Sequence, residues 1–291
     1  MIASAKHMLI QAAEAGYCVG AFNCTSIAQL LGVVDAAEQN KSPVIIQTSL
    51  APYTFYGKDV LVGVYRAVAS KASVPICLHL DHCQDVATCK AAAEAGYTNI
   101  MIDASHHDFE ENVRLTQEVC DFCHALGDIS VEGELGTVGG VEDQVAVAED
   151  EAQLCPPGKS LEYVERTGVD LFAPAIGTAH GVYVTENPKI DFERFEQIQR
   201  IVNQPAIRAP LVVHGGTGLK EEVVRRLVSL GGAKFNVSTD LKHVLLDTTY
   251  EYLATHLKEY NPGKVDKAVR QAIAARVTHY MQLLGSAGKA A

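Results

Sequence analysis

Residues 75–83 read Pro-Ile-Cys-Leu-His-Leu-Asp-His-Cys, a mostly apolar run that opens on proline and ends on an aspartate and a histidine. Such a run fits a strand buried on both faces of a parallel sheet. The same form recurs at 18–22, 43–47, 99–103, 128–135, 171–176, 210–214 and 233–237, with Ala/Leu/Glu-rich helical stretches between the runs. Eight continuous apolar strands alternating with helices predict a closed parallel barrel, an α/β fold of the (β/α)8 TIM type, rather than an open sheet. Nothing in residues 1–291 reads as a linker, so the chain is expected to be one domain. The six residues AAEAGY occur at 12–17 and again at 92–97, each time as a helix end with a glycine stop before a strand. A further helix is expected from Lys264 to Leu284, opening a C-terminal extension over 264–291. Its GSAGKAA tail is expected to be flexible unless it folds over the site.

The polar residues cluster at one end of these runs. Asn23, Ser49, Asp81 with His82, Asp103, Glu132 with Glu134, His214 and Asn236 fall at or beside strand C-termini, whereas the strand beginnings are apolar or proline. In barrel enzymes that rim carries the active site. Leaving such groups buried and unpaired would cost roughly 1–3 kcal/mol each, so their concentration asks for a metal or a ligand. His82, His180 and His214 each stand where an apolar run meets a Gly-rich turn, and three imidazoles are a common donor set for a catalytic Zn²⁺ with an open position. Alternation along the strand sends His79 and Asp81 to one face and His82 to the other. Asp81 and His82 can therefore share a site only if the strand ends near Asp81 and the chain turns, and His79 is assigned to packing or support.

Two turns, HGGTG at 214–218 and NVSTD at 236–240, follow the seventh and eighth runs and lead into helices. Backbone N–H groups at such turns bind anions, and this is the common phosphate position in barrels. The long Gly-rich segment 136–157 is expected to be a mobile active-site loop carrying Glu142. A Schiff-base route would need a lysine at a strand tip. The sixth run has none, and Lys234 is placed near the start of the eighth, away from the rim.

Composition bounds the partners. The formal net charge of -11, with no Lys/Arg run of five, disfavours nucleic acid and anionic lipid. The N-terminal stretch lacks a signal-peptide core and no apolar run approaches membrane-spanning length, so a cytoplasmic protein is expected. Eight cysteines without framework spacing read as reduced, buried thiols, and the lone CxxC, Cys120 and Cys123, falls in a helical core stripe.

Six stretches in order, HLDHC, MIDASH, VEGELGTVGG, AIGTAHGVY, VVHGGTGL and FNVSTDLK, resemble the successive motifs of the class II, zinc-dependent ketose-bisphosphate aldolases. The resemblance implies reversible aldol cleavage of a ketose 1-phosphate or 1,6-bisphosphate, fructose- or tagatose-like, to dihydroxyacetone phosphate and an aldehyde. It implies zinc on His82, His180 and His214, proton transfer at the C4 hydroxyl by Asp81, support of the enediolate by Asn236, and proton abstraction by Glu142. Gly181, Gly215, Gly216, Thr217, Ser238 and Thr239 would cradle the C1 phosphate with a monovalent cation, Na⁺ or K⁺. Asp103 and Glu134 would offer an alternative buried zinc position, and Asn23 and Ser49 would be substrate-side groups. Family members are homodimers or homotetramers. The chain departs from many fructose enzymes at Val184, where they carry a phosphate-binding lysine, at Val141 and at Thr217. Other readings of the same residues are a non-catalytic accessory barrel, an aldolase for a different acid sugar phosphate as in inositol breakdown, and a metal hydrolase.

Overall fold

A computed structural model describes residues 1–142, 145–147, 152–183 and 188–290, with the side chains of 141–142 and 145–147 outside the description. Eleven strands occur among these residues: β1 (Val19–Asn23), β2 (Val44–Thr48), β3 (Ile76–Cys83), β4 (Asn99–Ile102), β5 (Ser130–Leu135), β6 (Gly139–Glu142), β7 (Val145–Val147), β8 (Leu171–Pro174), β9 (Ala179–His180), β10 (Leu211–Val213) and β11 (Gly232–Val237). Eight of them close into a parallel barrel in the order β1-β11-β10-β8-β5-β4-β3-β2. Each barrel strand overlaps one of the expected runs.

The strand pleat divides the apolar residues between two cores. Phe22, Ile46, Leu78, Ile100, Val131, Phe172, Val213 and Phe235 face outward and pack beneath the surrounding helices. Val19, Ala21, Ile45, Cys77, Leu171, Ala173 and Val212 face inward and fill the lower barrel, where the helix Ala5–Ala15 plugs the opening with Ala5, Met8, Leu9 and Ala12. This end is apolar and closed by the helix, and the inward positions nearer the C-terminal ends are polar instead. The CxxC lies in the helix Phe109–Leu126, with both thiols buried.

The C-terminal helix runs Pro262–Leu283 and crosses the helix Ile27–Asn40 at Gly32. A Cβ on Gly32 would stand 2.6 Å from the Arg270 carbonyl oxygen, so the crossing needs that residue to be glycine. The tail beyond the helix differs from its expected behaviour. Gly288 and Ala290 donate backbone hydrogen bonds to the carbonyls of Asn40 and Lys41, and the buried Ser286 hydroxyl meets that of Ser42 at 2.8 Å. These partners precede β2, so the tail is fastened at the N-terminal face, opposite the polar rim. No helix among the described residues is long and apolar enough to cross a membrane.

At the same lower face Asp170 joins three elements. Its carboxylate accepts hydrogen bonds from Lys6 of the plug helix at 2.7 Å, from His124 at 2.7 Å and from the Val131 backbone at 2.9 Å. Burial pushes this carboxyl up, but the bonds from His124 and Lys6 outweigh it and hold it below its usual range. His124 is raised chiefly by its bond to Asp170. A depressed carboxyl stabilises the fold above the ordinary carboxylate pKa, near 4, and that contribution is lost as pH falls through the folded value. A raised imidazole stabilises below its ordinary pKa, near 6.5, and that contribution is lost as pH rises through the folded value. Asp170→Asn is therefore expected to lower the melting temperature more at pH 5.5 than at pH 8.5. Equal losses at both values, read by thermal unfolding, would remove His124 from the linkage.

Candidate metal centre and active site

His82 reaches the barrel mouth by a break in the β pleat. β3 continues to Cys83, but its pairing with β4 shifts register between Leu80 and Cys83, and His82 adopts φ of 45°. A non-glycine residue with positive φ is a strained conformation that surrounding structure must hold. The expectation that the strand would end near Asp81 is thus corrected: the strand carries on, and a bulge rotates His82 onto the face already used by His79 and Asp81. His180 is the last residue of β9, and His214 follows β10 with the inward parity of Val212.

The three imidazoles converge. Ring centroids lie 4.7 Å apart for His82 and His180, 4.6 Å for His82 and His214, and 5.9 Å for His180 and His214. One nitrogen of each falls within 4.8 Å of the others, and a second set within the same limit joins His82 to Asp103 and Glu134. Tetrahedral zinc with bonds of 2.0–2.1 Å keeps its ligands about 3.4 Å apart, so a small inward movement of side chains suffices. Burial lowers His180 and His214 from their usual imidazole values, leaving the neutral form that ligates a metal. His82 Nδ1 meets Asp103 Oδ2 at 2.8 Å and His214 Nε2 meets Glu132 Oε1 at 2.8 Å, each an imidazole oriented by a carboxylate on its far nitrogen. His214 Nδ1 and Glu134 Oε2 are buried 3.3 Å apart without a hydrogen bond. Burial, with Asp103 adding to it, raises the Glu134 carboxyl well above its usual range. A cation among these atoms would satisfy both, so the donor set fits a divalent metal.

Asp81 stands beside this group, 1 % exposed. Its Oδ2 accepts from Asn23 Nδ2 at 2.8 Å and Gln47 Nε2 at 3.4 Å, and its Oδ1 accepts from Asn236 Nδ2 at 3.3 Å. Burial alone would raise this carboxyl, but the charges of His82, His79 and Lys234 and the His79 hydrogen bond prevail and hold it well below its ordinary value. It is an ionised base held by amides from β2, β1 and β11, the strands that follow one another on one side of β3. Asn23, expected on the substrate side, is here a support of Asp81. Ser49 is a buried residue at the head of the helix Leu50–Tyr56.

His180, Gly181, Gly215, Gly216, Thr217, Asn236, Ser238 and Thr239 line a single cleft at the tips of β9, β10 and β11. Gly215 has φ of 64°, and a Cβ there would stand 2.4 Å from the Ala179 carbonyl oxygen. On Gly216 it would stand 2.4 Å from the Phe235 ring. These contacts let the turn lie flat beneath the cleft. The seventeen-residue helix Thr239–Thr255 starts there, and Ser238, at its head, leaves its buried hydroxyl oxygen without a hydrogen bond. Helix N–H groups and a free hydroxyl suit an anion.

Several participants were not assigned a role from the sequence. Tyr183 donates its hydroxyl to the Gly215 carbonyl at 2.7 Å and accepts from the Ala179 backbone at 3.0 Å, pinning one rim turn to the next. Only its place three residues after His180 hinted at this. The segment 136–157, expected as a loop, includes an antiparallel pair, β6 with β7, and β6 runs parallel to β9 with Gly140 opposite His180. Lys234, assigned to a position away from the rim, is fully buried inside the barrel one inward position below Asn236, 2.9 Å from Glu132. It occupies no strand tip. The side chains of Glu142 and Val141, and the residues Val184 and 149–151, lie outside the described set.

Comparison with known proteins accords with this geometry. The family profile "Fructose-bisphosphate aldolase class-II" matches residues 3–289. The chain is 41% identical over 293 residues to the fructose-bisphosphate aldolase of Geobacillus stearothermophilus, covering 100% of this chain and 99% of that protein. Among solved structures, the YdjI aldolase of Escherichia coli K12 superposes with a TM-score of 0.86 at 34% identity over 100% of both chains. A putative fructose-1,6-bisphosphate aldolase from Coccidioides immitis gives 0.88 at 32% identity, covering 98% of this chain and 96% of that one. The chain belongs to the class II fructose-bisphosphate aldolase family, and it is an aldolase, a carbon–carbon lyase of carbohydrate metabolism.

Proposed function

We propose that this aldolase reversibly cleaves a ketose 1-phosphate or 1,6-bisphosphate, fructose- or tagatose-like, to dihydroxyacetone phosphate and an aldehyde such as glyceraldehyde 3-phosphate, using one Zn²⁺ on His82, His180 and His214. The observation that carries the reading is the convergence of those three imidazoles beside an ionised, buried Asp81. Zinc, when bound, supplies Lewis acidity toward the substrate's carbonyl and hydroxyl oxygens. An all-imidazole triad suits that ion, and Asp103 with Glu134 and His82 provides a deeper alternative position.

The chain's own groups do the rest. Asp81 Oδ1 takes the proton from the C4 hydroxyl during cleavage and returns it in condensation, while Asn23 and Gln47 keep Oδ2 fixed. Asn236, in the same cleft, donates an amide hydrogen to the oxygen that gains charge as the bond breaks. Glu142, on the segment whose backbone pairs beside His180, exchanges the proton at the dihydroxyacetone phosphate carbon. Gly181, Gly215, Gly216, Thr217, Ser238 and Thr239 bind the C1 phosphate through backbone N–H groups and hydroxyls, and the unbonded Ser238 oxygen favours a monovalent cation, Na⁺ or K⁺, among its ligands. Ser49 faces substrate.

Eight free, buried cysteines suit a reducing compartment and support a cytoplasmic protein. Leu246, Tyr250 and Leu253, with Leu257 and Tyr260 just beyond, are exposed along the helix Thr239–Thr255. An apolar face of this kind supports a homodimer or homotetramer. Light scattering that returns a monomer mass would remove that part of the reading.

A coupled assay for dihydroxyacetone phosphate over fructose and tagatose 1,6-bisphosphates and ketose 1-phosphates is expected to give turnover that chelation abolishes and added Zn²⁺ restores. Full activity after chelation, or in His180→Ala, overturns the proposal. Asp81→Asn keeps the shape and removes the base, so kcat is expected to fall by about 10²–10⁴ with zinc content unchanged. Wild-type kcat in that variant would move the proton transfer to another group.

A further inference from the structure

One ion pair buried inside the barrel touches both a proposed metal ligand and the surroundings of Asp81, and it has so far been given no role as a pair. Glu132 on β5 and Lys234 on β11 are both 0% exposed. The two oxygens of Glu132 are divided between partners: Oε1 meets His214 Nε2 at 2.8 Å, and Oε2 pairs with Lys234 Nζ at 2.9 Å. His79 fills the space beside them, with Nε2 3.4 Å from Lys234 Nζ, 3.9 Å from Glu132 Oε2 and 3.5 Å from Asp81 Oδ1. A continuous line of contacts thus runs from Lys234 through Glu132 to His214, and from Lys234 through His79 to Asp81.

A buried ion pair contributes little to stability compared with apolar residues of the same volume, because desolvation offsets its attraction. Its geometry here does something apolar packing would not. A carboxylate that accepts from His214 at Nε2 requires the proton on that nitrogen, which leaves Nδ1 with the lone pair, and Nδ1 is the nitrogen on the side of Glu134. Lys234 holds the second carboxylate oxygen in the opposite direction. Without it, Oε2 would have a free charge a short rotation away from any cation bound above, and Oε1 would leave His214 to follow.

We propose that Glu132 and Lys234 act as one positioning unit, in which the ammonium anchors the carboxylate and the carboxylate holds His214 with Nδ1 presented to the metal. The inference rests on the reading of His82, His180 and His214 as the metal ligands. It assigns to this pair the strength of metal binding rather than any contact with substrate.

The test strips the full-length protein with chelator and titrates Zn²⁺ alone against a chromogenic competitor, with thermal unfolding of each apoprotein in parallel. Glu132→Gln and Lys234→Met are each expected to weaken zinc binding by about 10–100-fold, the usual effect of removing a group that orients a ligand. The double variant, which leaves no unpaired charge, is expected to melt near the wild-type apoprotein and still bind zinc weakly. Wild-type zinc affinity in folded Glu132→Gln or in the double variant overturns the proposal, as does lost apoprotein stability with unchanged affinity. Failure of the wild-type protein to take up one zinc per chain, or wild-type binding by His180→Ala, defeats the ligand assignment itself and is read separately from the variants of the pair.

Discussion

Among the described residues the upper half of the barrel buries four carboxylates, Asp81, Asp103, Glu132 and Glu134, around one ammonium, Lys234. Isolated charges removed from water cost several kcal/mol each even after the surroundings relax, so this arrangement survives only because each group is distributed among partners. Asp81 is held by two asparagines and a glutamine, Asp103 by His82 and Ser105, and Glu132 by His214 and Lys234. Glu134 is satisfied on one side only: Oε1 accepts from the Val138 backbone at 3.5 Å, whereas Oε2 faces His214 Nδ1 across 3.3 Å with no hydrogen bond between them. The place where the internal balance is incomplete is the place where a cation fits.

A second constraint follows from the pleat. Neighbouring residues on a strand point to opposite faces, so Asp81 and His82 cannot both address the mouth of a regular barrel. The bulge in β3 removes that obstacle by placing His82 at positive φ, and its hydrogen bond to Asp103, the residue just after β4, holds it there. The strain is local and sits beside the reacting groups, where a fold can sustain it because the flanking residues Leu80 and Cys83 are anchored in the outer core.

The rim is bound into one surface by backbone contacts. β6 beside β9 fixes the chain at His180, Tyr183 ties Ala179 to Gly215, and Gly215 and Gly216 lie close to Ala179 and Phe235. Metal ligands and anion cleft therefore share supports, and a shift in one turn is felt by the other. At the opposite face the plug helix and the fastened tail close the barrel, so access is from the rim.

The sequence alone determined the eight strands, the closed parallel barrel, the polar strand tips, the buried thiols and the C-terminal helix. Each of these is written in a local pattern: apolar runs, glycine stops and the spacing of polar residues within one element. Three features came from tertiary structure. Closure brings β5 and β11 within reach of His79 and His214, which pairs Lys234 with Glu132, residues far apart in the chain. The bulge at His82 depends on β4 lying alongside. The tail reaches Asn40 and Lys41 rather than the site because the last helix crosses at Gly32 and points it downward. Contacts between residues far apart in the chain carry no local signal, since they are set by the geometry of closure and by the need to pair every charge it buries.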